Sequence, residues 1–160
     1  MTRNFRGGRQ VAAAAFVCLL LVLDSDHAAG ASVPRLAVII AAPWDGETAM
    51  GNDLAAMTDA LLQRGFAPQD IVALEGSLMR PVVLALLTTV SRRVASWTDG
   101  DIVLIVSGHG NVHGTTPATA RPSVVLSNEE PIADYEVFWD EIFATLQIPA
   151  GVRLVVLPDT

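Results

Sequence analysis

Uninterrupted apolar runs constrain the fold of this chain more than any other feature. Residues 36–41 read Leu-Ala-Val-Ile-Ile-Ala, and the segment 101–106 is apolar from Ile102 onward. A strand with one solvated face alternates apolar and polar residues, whereas a strand buried on both faces is apolar throughout. These two segments therefore predict strands buried on both faces of a covered sheet, and the apolar run at 152–157 predicts a last strand.

Segments with helical spacing of apolar residues separate the predicted strands. The spacing predicts a helix with its N-cap at Asn52 that ends near Arg64, a helix from Pro81 to Trp97, and a helix over 135–146. A short strand is predicted at 71–74. Strands that alternate with helices indicate an α/β fold, with a mainly parallel sheet covered by helices on both faces.

A segment rich in glycine, threonine and proline follows the strand at 101–106 and predicts a loop over 107–122. It begins with Ser107-Gly108-His109-Gly110. The flanking glycines favour a tight turn that leaves the imidazole and the nearby amides open to a ligand. A histidine in this setting can act as a general acid or base near neutral pH. A histidine that only closes the turn is the alternative.

Four further side chains carry candidate chemistry. His113 follows His109 by four residues, but the predicted loop between them and the lack of a third ligand argue against a metal site. Ser107 lacks the Gly-x-Ser-x-Gly context of a nucleophile elbow. Asp53 and Asp159 fall just beyond predicted strand ends, where they could meet above the sheet or simply be solvated. We therefore predict no metal and no cofactor.

The charge balance excludes one class of partner. The chain has 10 cationic side chains, all arginine, against 17 acidic ones, for a net charge of −7. A phosphate backbone repels such a protein, so we expect no nucleic-acid partner.

Cys18 is the single cysteine in the sequence, which excludes an intramolecular disulfide. Oligomeric state has no signature in the sequence.

The first 31 residues have the pattern of a secretory signal peptide. Three arginines precede an uncharged run at 11–23, and Ala29-Gly30-Ala31 forms a small-residue cleavage site. The run is shorter than the ~20 residues that span a bilayer, so we expect no stable membrane insertion after cleavage. The prediction is a secreted or periplasmic domain at 32–160, and an uncleaved anchor is the alternative.

Taken in order, the segments of residues 35–160 resemble the caspase-like fold of cysteine peptidases, on the metacaspase and bacterial side of that family. The residues that carry the resemblance are Leu36-Ala37-Val38-Ile39-Ile40, Gly51-Asn52-Asp53, Leu61-Leu62-Gln63-Arg64-Gly65-Phe66, Ile71-Val72-Ala73-Leu74, Asp99-Gly100-Asp101, Ser107-Gly108-His109-Gly110 and Asp159-Thr160. The resemblance implies a three-layer sandwich and the catalytic domain of an endopeptidase.

The resemblance also implies roles for individual residues. His109 corresponds to the histidine of a Cys-His dyad, and the Gly110 amide corresponds to an oxyanion donor. Asp53, Ser107 and Asp159 correspond to a pocket that accepts arginine or lysine before the scissile bond. The implied partner is a peptide or protein substrate, and no cofactor is implied.

One feature of the family is missing from these 160 residues. The family's nucleophile is a cysteine directly after an Asp-Ser or Asp-Thr pair, which here is position 161, 52 positions after His109. This separation fits the caspase pattern of about 50 residues. We therefore expect the intact chain to continue with that cysteine and with further strands, since the strand at 152–157 would otherwise expose an apolar edge. The alternatives are an inactive caspase-like binding or scaffold module and an unrelated α/β domain that binds a small ligand.

Overall fold

The computed structural model describes residues 33–42 and 48–159, and for residues 48–52 it describes the backbone alone. The predicted signal peptide at 1–31, with Cys18, lies outside the described residues, as does Thr160. Within the described part of the chain, no helix is long and apolar enough to cross a membrane.

The described residues form seven strands and three α-helices. The strands are β1 (Arg35–Ala41), β2 (Ile71–Glu75), β3 (Gly100–Ser107), β4 (His109–His113), β5 (Arg121–Val125), β6 (Glu136–Phe138) and β7 (Val152–Asp159). The helices are α1 (Thr48–Gln63), α2 (Arg80–Val94) and α3 (Trp139–Thr145).

Four of the strands form one parallel sheet in the order β2-β1-β3-β7. All eight residues of β3 are buried, and so are six of the seven residues of β1. The two strongest apolar segments therefore lie at the centre of the sheet, as predicted. Among the described strands, β2 and β7 each pair on one side only, and both are partly exposed.

Helices cover both faces of the parallel sheet, as the sequence predicts for an α/β fold. Alternate β1 side chains, such as Val38, belong to a buried cluster that includes Leu87 of α2 and Ile142 of α3. The intervening side chains, such as Ile39, are equally buried on the other face. There α1 packs against β1 and β2 and buries Leu61. Burial of each large aliphatic side chain stabilises the fold by about 1.5–3 kcal/mol.

The remaining strands form a small antiparallel sheet in the order β4-β5-β6. The prediction of a loop over 107–122 is wrong, because that segment contains β4 and the start of β5. A sequence such as His-Gly-Asn-Val-His has neither an apolar run nor clear alternation. Its extended conformation depends on pairing with β5, which the local sequence does not encode.

Three predicted helix boundaries are also wrong. The second helix ends at Val94 and does not reach Trp97. Residues 136–138 form β6, and α3 begins only at Trp139. The pairing of β6 with β5 and the burial of Val137 override the helical spacing of 135–146. Asn52 lies inside α1, which begins at Thr48, so Asn52 is not the N-cap. The predicted start of the second helix is confirmed, because Pro81 lies in the first turn of α2.

Candidate functional site

The carboxyl ends of the four parallel strands meet in one row of residues, which begins with Glu75 of β2 paired with Ala41 of β1. Ala41 of β1 pairs with Ser107 of β3, and Ser107 pairs with Asp159 of β7. Backbone hydrogen bonds extend the row, since Ala42 N donates to Ser107 O at 2.9 Å and Gly108 N donates to Asp159 O at 3.1 Å. Open parallel sheets commonly bind their ligands outside the carboxyl ends of the strands.

Two of the predicted pocket residues contact each other in this row. The Ser107 hydroxyl donates a hydrogen bond to Asp159 Oδ2 at 3.2 Å. Ser107 is only 2% exposed, whereas Asp159 is exposed. The serine hydroxyl therefore orients a carboxylate that faces solvent, and its proton points to Asp159. This geometry suits a binding role for the pair better than a nucleophilic role for Ser107.

Gly108 is the junction between the two sheets. A Cβ at this position would lie 3.0 Å from Val124 Cγ1 and 3.3 Å from Val125 O, so β5 would have to shift by a few tenths of an ångström to accommodate a side chain. Gly108 and Gly110 are not among the described glycines with positive φ. The predicted tight turn is confirmed at Gly108, where the chain bends between β3 and β4, whereas Gly110 lies within β4. The close approach of β5 accounts for Gly108.

His109 is the first residue of β4 and is half-buried at the junction. It pairs with Val125 of β5, which in turn pairs with Glu136 of β6. Directly paired residues project their side chains to the same face of a sheet. The His109 ring therefore lies on the face of the small sheet that also carries Glu136. Along the chain, His109 follows Ser107 by two residues.

The hydrogen bonding of the small sheet fixes the direction of the Gly110 amide. Leu126 N donates to Tyr135 O at 2.6 Å, so by alternation Val124 also directs its backbone groups toward β6. Val124 is the partner of Gly110, and the Gly110 N–H therefore points away from β5. The Val112 amide, two residues further along β4, also points away from β5, since Val112 N donates to the side-chain oxygen of Asn111 at 2.8 Å. An exposed N–H donor thus stands at the outer edge of β4, next to His109.

The predicted site residue Asp53 is not joined to this group. It lies on α1 and is exposed, and it makes no hydrogen bond or ion pair with another residue that the structure describes. The structure thus brings together Ser107, Asp159 and the start of β4, but gives Asp53 no contact with them.

His109 and His113 lie at opposite ends of β4. Four residue steps along an extended strand separate their Cα atoms by about 13 Å, so the two rings cannot share one metal ion. Within the described residues, no group of three or more histidine, cysteine or acidic side chains is arranged to hold a metal.

A buried carboxylate that sequence reasoning missed lies on the same face as His109. Glu136 is 6% exposed, and its Oε1 accepts hydrogen bonds from Ser123 Oγ at 2.5 Å, His113 Nε2 at 2.8 Å and Asn111 Nδ2 at 3.1 Å. Burial acts to raise the pKa of Glu136, but these hydrogen bonds outweigh it and lower the pKa below its usual value. The carboxylate is therefore charged at neutral pH and is held by three side chains.

No protein-family model matches this chain, and no curated protein matches it. The resemblance to caspase-like peptidases therefore rests on the sequence segments alone.

Proposed function

We propose that this chain is the histidine-bearing part of an exported caspase-like cysteine endopeptidase that cleaves peptide bonds after arginine or lysine. The nucleophile in this proposal is a cysteine at position 161, directly after Thr160. His109 is the general base and acid, and the Gly110 N–H is one oxyanion donor.

The register between β3 and β7 is the observation that carries the proposal. Every residue of β3 pairs with the residue 52 positions later in β7, from Gly100 with Val152 to Ser107 with Asp159. Position 161 follows His109 by the same 52 positions. In this proposal β7 continues in the same register past Asp159, so that the thiol at position 161 lies beside the imidazole of His109 and the two form a dyad.

The chemistry follows from these positions. His109 removes the thiol proton, and the thiolate attacks the peptide carbonyl carbon. The Gly110 N–H and the amide of the nucleophile stabilise the oxyanion that forms. The C–N bond then breaks as His109 protonates the leaving amine. Water releases the acyl group from sulfur, with His109 again as the base.

Asp159 supports the preference for a basic residue. Its exposed carboxylate lies at the end of β7 and is oriented by Ser107, so it can pair with a guanidinium or ammonium group. The net charge of −7 favours the approach of cationic peptides over acidic ones. Asp53 enters the pocket in this proposal through the family resemblance alone.

The test uses the product of the complete gene, assayed on fluorogenic peptides that end in arginine, lysine or aspartate. Residues 32–160 contain no cysteine, so inactivation by a thiol-alkylating reagent reports on a cysteine beyond Thr160. We expect cleavage after basic residues only, and a loss of roughly 10²–10⁴-fold in His109→Ala. Asp159→Asn is expected to raise KM for basic peptides, whereas Asp70→Asn, which removes a carboxylate that pairs with Arg93, leaves KM unchanged.

Two results would refute the peptidase proposal. One is a complete gene that encodes no cysteine after Thr160, with a folded product that binds peptides without turnover; this result identifies a binding module. The other is cleavage that persists after alkylation or in His109→Ala.

A further inference from the structure

The small sheet contains a carboxylate that joins all of its strands. Glu136 lies on β6, and its Oε1 accepts from Ser123 on β5 and from both Asn111 and His113 on β4. A carboxylate with an O–H donor at 2.5 Å and an imidazole donor at 2.8 Å has the short distances of charge-assisted hydrogen bonds. One buried oxygen therefore links β6 to both other strands.

The linked residues are close to His109 in the sheet. Asn111 and His113 follow His109 by two and four residues on β4, so their side chains project to the same face as the His109 ring. Glu136 belongs to the same cross-strand row as His109, with Val125 between them. Since β4 pairs with one strand only among those described, the side-chain bonds to Glu136 supplement a single ladder.

We propose that Glu136 is a positioning residue whose carboxylate fixes β4 and thereby the His109 ring and the outward Gly110 N–H. The consequence for the site rests on the proposed function, which gives His109 and Gly110 their catalytic roles. The restraint on β4 is independent of that function and can be measured in the absence of any activity.

The restraint depends on pH because its acceptor is a carboxylate. The charged and titratable groups on the elements next to Glu136 are His109 and His113 on β4, Arg121 on β5, and Asp140 and Glu141 on α3. Arg121 pairs with Asp140 at 2.9 Å and lies over the Phe138 ring at 4.0 Å, and Glu141 pairs with Arg80, so these charges are already balanced. Because the pKa of Glu136 is lowered in the folded state, its contribution is present above the pKa of an unfolded glutamate and disappears as pH falls through the folded pKa.

Amide hydrogen exchange on the full chain tests the proposal. The ladder places the His109, Asn111 and His113 amides toward β5, so exchange at Asn111 and His113 reports on the opening of β4. In Glu136→Gln we expect the protection factors of these two amides to fall by roughly tenfold or more, while those of β1 and β3 stay unchanged. The control is Asp70→Asn, which removes a paired carboxylate outside the small sheet and is expected to leave β4 protection as it is.

Two further readouts distinguish positioning from a general loss of stability. In the wild type, protection of β4 relative to β3 decreases as the pH falls through the pKa of Glu136, and this step is absent in Glu136→Gln. The ring signals of His109 also shift in Glu136→Gln, although Val125 lies between the two residues in the cross-strand row. If Glu136→Gln does not fold, His113→Ala serves as the second variant, because it removes one hydrogen bond to Glu136 from a half-exposed side chain. It is expected to show the same local loss of protection.

Unchanged protection at Asn111 and His113 in the variants overturns the proposal, as does an equal loss of protection throughout β1, β3 and β4. Either result leaves the peptidase proposal standing, since that is judged by cleavage and alkylation. The converse result is a protein without peptidase activity in which Glu136→Gln still shows the local loss of protection. That result keeps the restraint on β4 and removes only the catalytic role of His109.

Discussion

Replacement of Gly108 by alanine is expected to strain the junction between the two sheets. The new Cβ would lie 3.0 Å from Val124 Cγ1, 3.3 Å from Val125 O and 3.7 Å from Ala42 Cβ. Gly108 is not among the positive-φ residues, so backbone conformation does not oppose the substitution. The destabilisation comes from contact alone. Val124 is fully buried and Val125 O belongs to the β5 backbone, so neither can move aside freely.

The magnitude is the difference of two effects. Addition of one carbon to a packed site typically costs about 1–3 kcal/mol, and the smaller entropy of the unfolded alanine chain offsets about 0.4–1 kcal/mol of it, which leaves a loss of about 1–2 kcal/mol. With a urea m-value of about 1–3 kcal/mol/M, the unfolding midpoint is expected to fall by roughly 1 M. Urea unfolding followed by tryptophan fluorescence measures this change for the wild type and Gly108→Ala under the same conditions.

A double-mutant cycle tests the stated cause. Val124→Ala removes the nearest contacting atom and by itself leaves a cavity in the core. If the contact with Val124 is the source of the strain, the double variant loses less stability than the sum of the two single variants, with a coupling on the order of 1 kcal/mol. Additive losses, within about 0.5 kcal/mol, would refute this explanation of why Gly108 is a glycine.

Three further predictions use groups outside the junction. Asp101 is 3% exposed and bonded to arginine, so Asp101→Asn is expected to reduce the free energy of unfolding by about 3–5 kcal/mol in urea titrations. The hydrogen bond from Arg80 lowers the pKa of Glu141, so its stabilising contribution holds above the pKa of an unfolded glutamate and is lost at lower pH. Thermal melts over this acidic range should show a smaller pH dependence in Glu141→Gln. The hydrogen bond to Glu129 raises the pKa of Tyr135, the single tyrosine of the chain, so phenolate absorbance titrates at lower pH in Glu129→Gln.

The parts of the fold that the sequence predicts correctly are those whose environment is uniform along the segment. β1 and β3 are buried on both faces, so nearly every position requires an apolar side chain and the sequence shows a continuous apolar run. β4 and β6 lie in a sheet with one polar face and depend on a neighbouring strand. The pattern at 135–146 fits a helix, and only the position of β5 turns its first residues into a strand.

The candidate site divides in the same way. The strand-end pattern predicts Asp159 and the family resemblance predicts Ser107, and the parallel sheet brings these two residues together. Glu136 was not predicted, because its three partners are 13, 23 and 25 residues away in the sequence and belong to strands that the local pattern does not reveal. Asp53 shares its residue type with Asp159, but α1 gives it no described contact with the group. The type of a residue therefore predicts a shared site only where the order of the strands also shows that the residues lie close together.

The two halves of the candidate site are held by different forces, and this difference has a functional consequence. Ser107 and Asp159 belong to the parallel sheet, where β3 is fully buried and paired on both sides. His109 belongs to β4, which is mostly exposed and is held by one ladder and the bonds to Glu136. Local opening requires less free energy where fewer buried contacts are broken, so β4 opens before β3. A change that weakens the small sheet therefore displaces the proposed base from the substrate pocket before it unfolds the protein.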